Sequence, residues 1–221
     1  MIQHRPIRRA RAIAARSACR RPARLAARIA GGLAALAAVL GAGPAAAHSV
    51  EGVAGGLASG LLHPLLGPDH LVAMVAVGLW GAQLGRPLLI ALPIAFPMMM
   101  AMGAVLGIAG VPLPAVEVGI AASALVLGLV VALAWRAPVW LAVTLVAVFA
   151  LFHGHAHGTE LPQAAEPLAY GIGFVAATGL LHLAGIALGL LNDGKTGTVV
   201  VRGCGALVAA AGGWFLAGTL A

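Results

Sequence analysis

Apolar runs, barely interrupted by charge, recur from Gly52 to the C-terminus and constrain this chain more than any other feature. Of its 221 residues 62% are hydrophobic and 9% charged, whereas soluble domains carry about 25% charged residues. Runs of this kind cross bilayers, where the backbone must satisfy its own hydrogen bonds, as a helix does. The expected fold is all-α: a polytopic transmembrane helical bundle.

The formal net charge of +7 is concentrated at one end. Arg5, Arg8, Arg9, Arg11, Arg16, Arg20, Arg21, Arg24 and Arg28 all precede a short apolar run, Ile29 to Leu40, and the small residues Gly41 to Ala47. A basic start, a short apolar middle and an Ala-x-Ala site describe a secretory signal peptide, residues 1–47, cleaved to leave His48 first. The alternative is an uncleaved anchor helix. Without that segment Arg86, Arg136, Lys195 and Arg202 stand against Glu51, Asp69, Glu117, Glu160, Glu166 and Asp193, a net charge of −2. The basic balance is thus a property of targeting, and no nucleic-acid partner is implied. Cys19 leaves with the leader and Cys204 stands alone, so one mature chain holds neither an intrachain disulfide nor a thiolate metal site.

Residues 48–221 divide at charged and proline-rich joints into apolar segments Gly52–Leu84, Leu88–Gly110, Ala115–Trp135, Val139–Phe152, Leu168–Leu191 and Val199–Leu220. The first is long: as one helix it would measure roughly 50 Å, against roughly 30 Å of hydrocarbon. If it crosses once, every basic residue after the leader falls on the cytoplasmic side, as the positive-inside rule requires. Six spans with both ends periplasmic, in a bacterial inner membrane, are expected. Gly52/Gly56/Gly60, Gly103/Gly107 and Gly185/Gly189 recur at the spacing that lets helices approach closely in lipid. The methionines Met98, Met99, Met100 and Met102 read as packing beside Pro93 and Pro97.

Ionisable groups inside a bilayer are costly and mark ion or substrate paths by default. His63-Pro64-Leu65-Leu66-Gly67-Pro68-Asp69-His70 lies inside the long first segment. On one straight helix His63 and His70 would be roughly 10.5 Å apart along the axis. Two imidazole nitrogens on one ion lie no more than about 4.2 Å apart, so chelation needs a break, which Pro64 and Gly67-Pro68 invite. A solvated turn at the membrane surface is the plainer reading. His153, His155, His157 and Glu160 form a second cluster, in which His153 and His157 share a helical face if the helix continues. His155 joins them only if Gly154 and Gly158 open the backbone, and a solvent-exposed tract that buffers metal is the alternative. His182 falls on a stripe with Gly171, Thr178, Gly185 and Gly189, either as a ligand or as a helix–helix hydrogen bond. His48 would offer an amine beside its imidazole after cleavage, or nothing.

These residues resemble the HupE/UreJ family of bacterial nickel and cobalt permeases. The resemblance rests on His63-x5-Asp69-His70, with the Leu71–Trp80 run after it. It rests equally on Phe152-His153-Gly154-His155-Ala156-His157-Gly158-Thr159-Glu160, which fits the family's FHGxAHGxE pattern, and on Leu181–Ile186. His155 stands at that pattern's variable position. The family implies a nickel permease supplying hydrogenase or urease, with a cleaved leader and about six spans. Nickel, or cobalt, is then the transported substrate; membrane lipid is the surrounding partner, no cofactor is held permanently, and homo-oligomerisation is left open. Imidazole and carboxylate suit nickel, cobalt, zinc and copper(II) alike. A membrane sensor or accessory protein for enzyme assembly is the competing reading. An intramembrane metalloenzyme is disfavoured: the sequence has no His-Glu-x-x-His, no Gly-x-Ser-x-Gly and no phosphate-binding loop.

Overall fold

The computed structural model of the chain describes residues 53–159, 161, 166–192 and 194–221. The expected signal peptide, His48 and Glu160 lie outside the described residues. Within them the chain forms seven helices and no strand: α1 (Val53–Leu66), α2 (Pro68–Leu84), α3 (Leu88–Ile108), α4 (Val116–Ala132), α5 (Val139–Thr159), α6 (Pro167–Gly189) and α7 (Gly194–Leu220). It is a helical membrane bundle. Helices α3, α5, α6 and α7 are long and apolar enough to cross a bilayer, and α1 with α2 makes a fifth candidate, bent by 80°. Helix α4, with 17 residues, sits at the short end of the spanning range.

The bend has a local cause. Pro68 has no N–H and disfavours helical geometry in the residue before it, and Gly67 is accordingly extended, with φ −83° and ψ 103°. Pro64, by contrast, is carried inside α1. Only the second of the two interruptions invited by the sequence breaks the helix.

Glycines set the helix pairing. The Cα atoms of Gly103 and Gly107 on α3 lie against the backbone carbonyls of Leu151 and His155, while Gly154 and Gly158 on α5 lie against those of Met100 and Ala104. A Cβ at any of the four would overlap the facing backbone, so α3 and α5 touch main chain to main chain. Gly154 and Gly158 therefore close this interface rather than opening the helix around His155. On α6, Gly185 packs on Val75 and Gly189 on Ala82, both in α2, while Gly60 of α1 meets the carbonyl of Tyr170. Rising residue numbers in α1 and α2 thus meet rising numbers in α6. The bent pair follows α6 once, in the same direction.

The opposite end from Tyr170 is tied by side chains. Trp80 Nε1 donates to the Trp135 carbonyl at 3.1 Å, Gln83 Nε2 to that of Val131 at 3.1 Å and Arg202 Nε to that of Ala132 at 2.7 Å. These bonds tie α2 and α7 to carbonyls at and just beyond the end of α4, and Arg202 also opposes the negative end of its dipole.

Three details depart from the sequence expectation. Helix α5 continues beyond Phe152 through the histidine run to Thr159, because imidazoles that lower hydropathy do not interrupt helical hydrogen bonding. Met98 and Met102 are 67% and 54% exposed, so of the four methionines only Met100 is fully in the core. On α6 it is Gly173 that packs tightly, against the Leu57 carbonyl, whereas nothing stands within 4 Å of the position a Cβ would take at Gly171. The outer faces carry Leu207 and Trp214, 74% and 79% exposed. An apolar surface of this kind suits hydrocarbon and would aggregate in water.

Candidate metal centre

The break at Gly67 determines the site. By turning the chain it brings the His63 ring, near the end of α1, to within 6.3 Å of the His70 ring in the first turn of α2, centroid to centroid. Helix α5 supplies the other side. Its i, i+4 pair presents His157 at 4.7 Å from His63 and 4.5 Å from His70, and His153 at 4.7 Å from His70. Four imidazoles from three helices therefore form a continuous row, His63–His157–His70–His153, inside the bundle. His70, His153 and His157 are all buried.

Phe96 ends the row. Its fully buried ring lies 5.6 Å from His153 and 5.3 Å from His182, which separates His182 from the four. Helix α6 runs alongside with Tyr170, Phe174, Thr178 and His182 at every fourth position, all buried. From Tyr170, 6.0 Å from His63, to His182 the helix rises by roughly 18 Å, so the groups extend along the bundle axis. Phe174 packs at 4.2 Å from His157. A mostly apolar cavity of about 190 Å³, lined by Met100, Gly158, Tyr170 and Phe174 among others, has His157 in its wall.

Hydrogen bonds fix some of these rings and leave others open. Asp69 Oδ1 accepts from both the backbone N–H of His70, at 2.8 Å, and its ring Nδ1, at 2.7 Å. The carboxylate thus holds the His70 ring and directs its lone pair to Nε2, which is buried without a partner among the described residues. His153 Nδ1 and both nitrogens of His157 are in the same position, as are those of His182. The His182 ring sits beside the carbonyl of Pro93, in a contact that falls outside hydrogen-bond geometry. Pro97 deprives that carbonyl of its helical donor, since it has no N–H to offer four residues on.

His155 is not in the row. Its Nε2 bonds to the Val111 carbonyl at 2.8 Å, so it anchors the loop between α3 and α4. Among the described residues no three His, Cys, Asp or Glu side chains are placed to share one ion. Two of the three adjoining ring pairs meet edge to face and the third, His70–His157, is tilted by 52°, and a chelate would require their rotation. The donors present, neutral imidazole with one carboxylate, fit a borderline divalent cation and suit a soft monovalent one poorly. Ser123 and Phe96 had no sequence signal. A serine among alanines reads as packing, and only the fold puts Ser123 Oγ at 2.8 Å from His153 Nε2.

Fold and interior together define a polytopic helical membrane protein with an imidazole-lined core. Residues 33–215 match the family described as HupE / UreJ protein. Over 155 residues the chain is 48% identical to Protein HupE of Rhizobium leguminosarum bv. viciae, an alignment covering 70% of this chain and 81% of that protein. The chain belongs to the HupE/UreJ family. No solved structure matches it.

Proposed function

We propose that this protein is a permease that admits nickel, or cobalt, across the bacterial inner membrane for metalloenzyme maturation. The observation that carries the reading is the row of four imidazoles, contributed by three helices and braced by Asp69, in the interior of a membrane bundle. Buried imidazole nitrogens with no partner among the described residues, on His70, His153 and His157, are costly and find a use in binding a cation. A transported ion must also leave, and rings that adjoin without forming a finished chelate suit transit better than storage.

In this reading the mature N-terminus is periplasmic after loss of residues 1–47. His157, His63 and Glu160 receive the ion at the outer end, and His70 and His153 pass it to Phe96. His182, beyond that ring, is the next donor toward the cytoplasmic end. Asp69 lends charge and orients His70. His155 and His48 are peripheral. The protein does no chemistry on its substrate.

The test is uptake of radioactive nickel by cells lacking other nickel importers, with cobalt, zinc and copper as competitors. Saturable uptake that falls at least about tenfold in Asp69→Ala or His70→Ala, with both variants present in the membrane, is expected. Normal uptake by both variants overturns the site. Nickel binding without flux in vesicles of purified protein moves the function to an accessory role in hydrogenase or urease assembly.

A further inference from the structure

Ser123 lies on α4, which supplies no histidine to the row, and its side chain is fully buried. Its hydroxyl has two close neighbours: the Ile120 carbonyl at 2.6 Å and His153 Nε2 at 2.8 Å. A hydroxyl carries one proton and two lone pairs. Two oxygens 2.6 Å apart repel unless that proton lies between them, and a carbonyl can only accept. The Ser123 proton is therefore committed to Ile120. Toward His153 the oxygen has only a lone pair to offer, so Nε2 must carry the ring proton and donate it.

A neutral imidazole has one proton. With it on Nε2, the remaining lone pair of His153 is on Nδ1, the nitrogen that is buried and has no partner among the described residues. We infer that Ser123 is a positioning residue that locks His153 in the Nε2–H tautomer and so keeps Nδ1 available to a borderline divalent cation. The inference rests on the permease reading for the cation, but on hydrogen-bond geometry alone for the tautomer.

His70 shows the same logic with the nitrogens exchanged. There a carboxylate holds Nδ1–H and leaves Nε2 open. Two adjacent rings, 4.7 Å apart, are each held through one nitrogen by a residue that need not touch the ion. Outer partners of this kind fix the tautomer and orientation of metal-binding histidines.

Full-length protein labelled with nitrogen-15 histidine, purified metal-free in detergent, tests the tautomer. The His153 resonances are assigned by their loss in His153→Gln. Wild-type protein is expected to show protonated Nε2 and unprotonated Nδ1, and Ser123→Ala to show both tautomers. Nickel titration should find affinity lowered roughly 10–100-fold in Ser123→Ala and restored in Ser123→Thr, which keeps the oxygen. The alanine variant lacks a single atom, and an unchanged elution volume confirms its fold. Protonated Nδ1 in the wild type overturns the inference, as does an alanine variant with unchanged tautomer or unchanged nickel affinity. The tautomer is read without metal, so a chain that fails to move nickel leaves this result standing, and the two ideas fail separately.

Discussion

His157 holds both ring nitrogens buried and, among the described residues, unpartnered, while touching His63 on one side and His70 on the other. It is the junction between the donors of α1 and α2, and its pairing with His153 follows from a spacing of four on a helix. Cation and proton compete for the same imidazole lone pairs. The initial rate of nickel uptake should therefore not rise as the external pH is lowered, and any acid loss should recover on return to neutrality. A rate that rises with acidification would contradict imidazole capture. At this scale the sequence disclosed the histidines and Asp69, because polar groups stand out in apolar runs. It hid Ser123 and Phe96, whose residue types are ordinary in a bundle. Their partners lie 30 positions away for Ser123 and more than 50 for Phe96.

Helix by helix, the site depends on two devices, a proline break and a glycine seam. The break was legible, since Gly67-Pro68 cannot continue a helix. The half of the seam on α3 was legible from spacing, but its counterpart on α5 was hidden inside the histidine motif, where Gly154 and Gly158 looked like hinges. Their contacts make a sharp prediction. Gly158→Leu forces side-chain atoms into the Ala104 backbone and should destabilise the bundle by about 1–3 kcal/mol. Gly179→Ala, where nothing lies within 4 Å of the added carbon, should be neutral or stabilising by up to about 1 kcal/mol. Thermal unfolding in detergent, followed by the loss of monodisperse protein, compares the two. Equal behaviour would mean that α3 and α5 are not in main-chain contact. The methionine run was misread for a related reason: apolar residues are the same on both faces of a membrane helix, so periodicity cannot say which face meets protein.

For the molecule as a whole, the proposed permease has six spans with both ends periplasmic, a topology that can be tested. Alkaline phosphatase, active only outside the cytoplasm, should work when fused after Val111 and fail when fused after Arg86 or Arg136. The reverse pattern would place the basic loops outside and invert the bundle. The expected orientation rests on four basic residues alone. The depth of the ring row was not legible, because depth depends on which helices adjoin. That depth has an electrical consequence. Among the described residues, the stretch from His157 to His182 contains one carboxylate, Asp69, against the two positive charges of a nickel ion. In the proposed permease an ion moving along it would keep half of its charge uncompensated and feel the membrane voltage directly. For two charges crossing the full field this amounts to roughly 4–5 kcal/mol per 100 mV. In the proposed permease, a resting cell that is negative inside would draw the ion inward along its own potential.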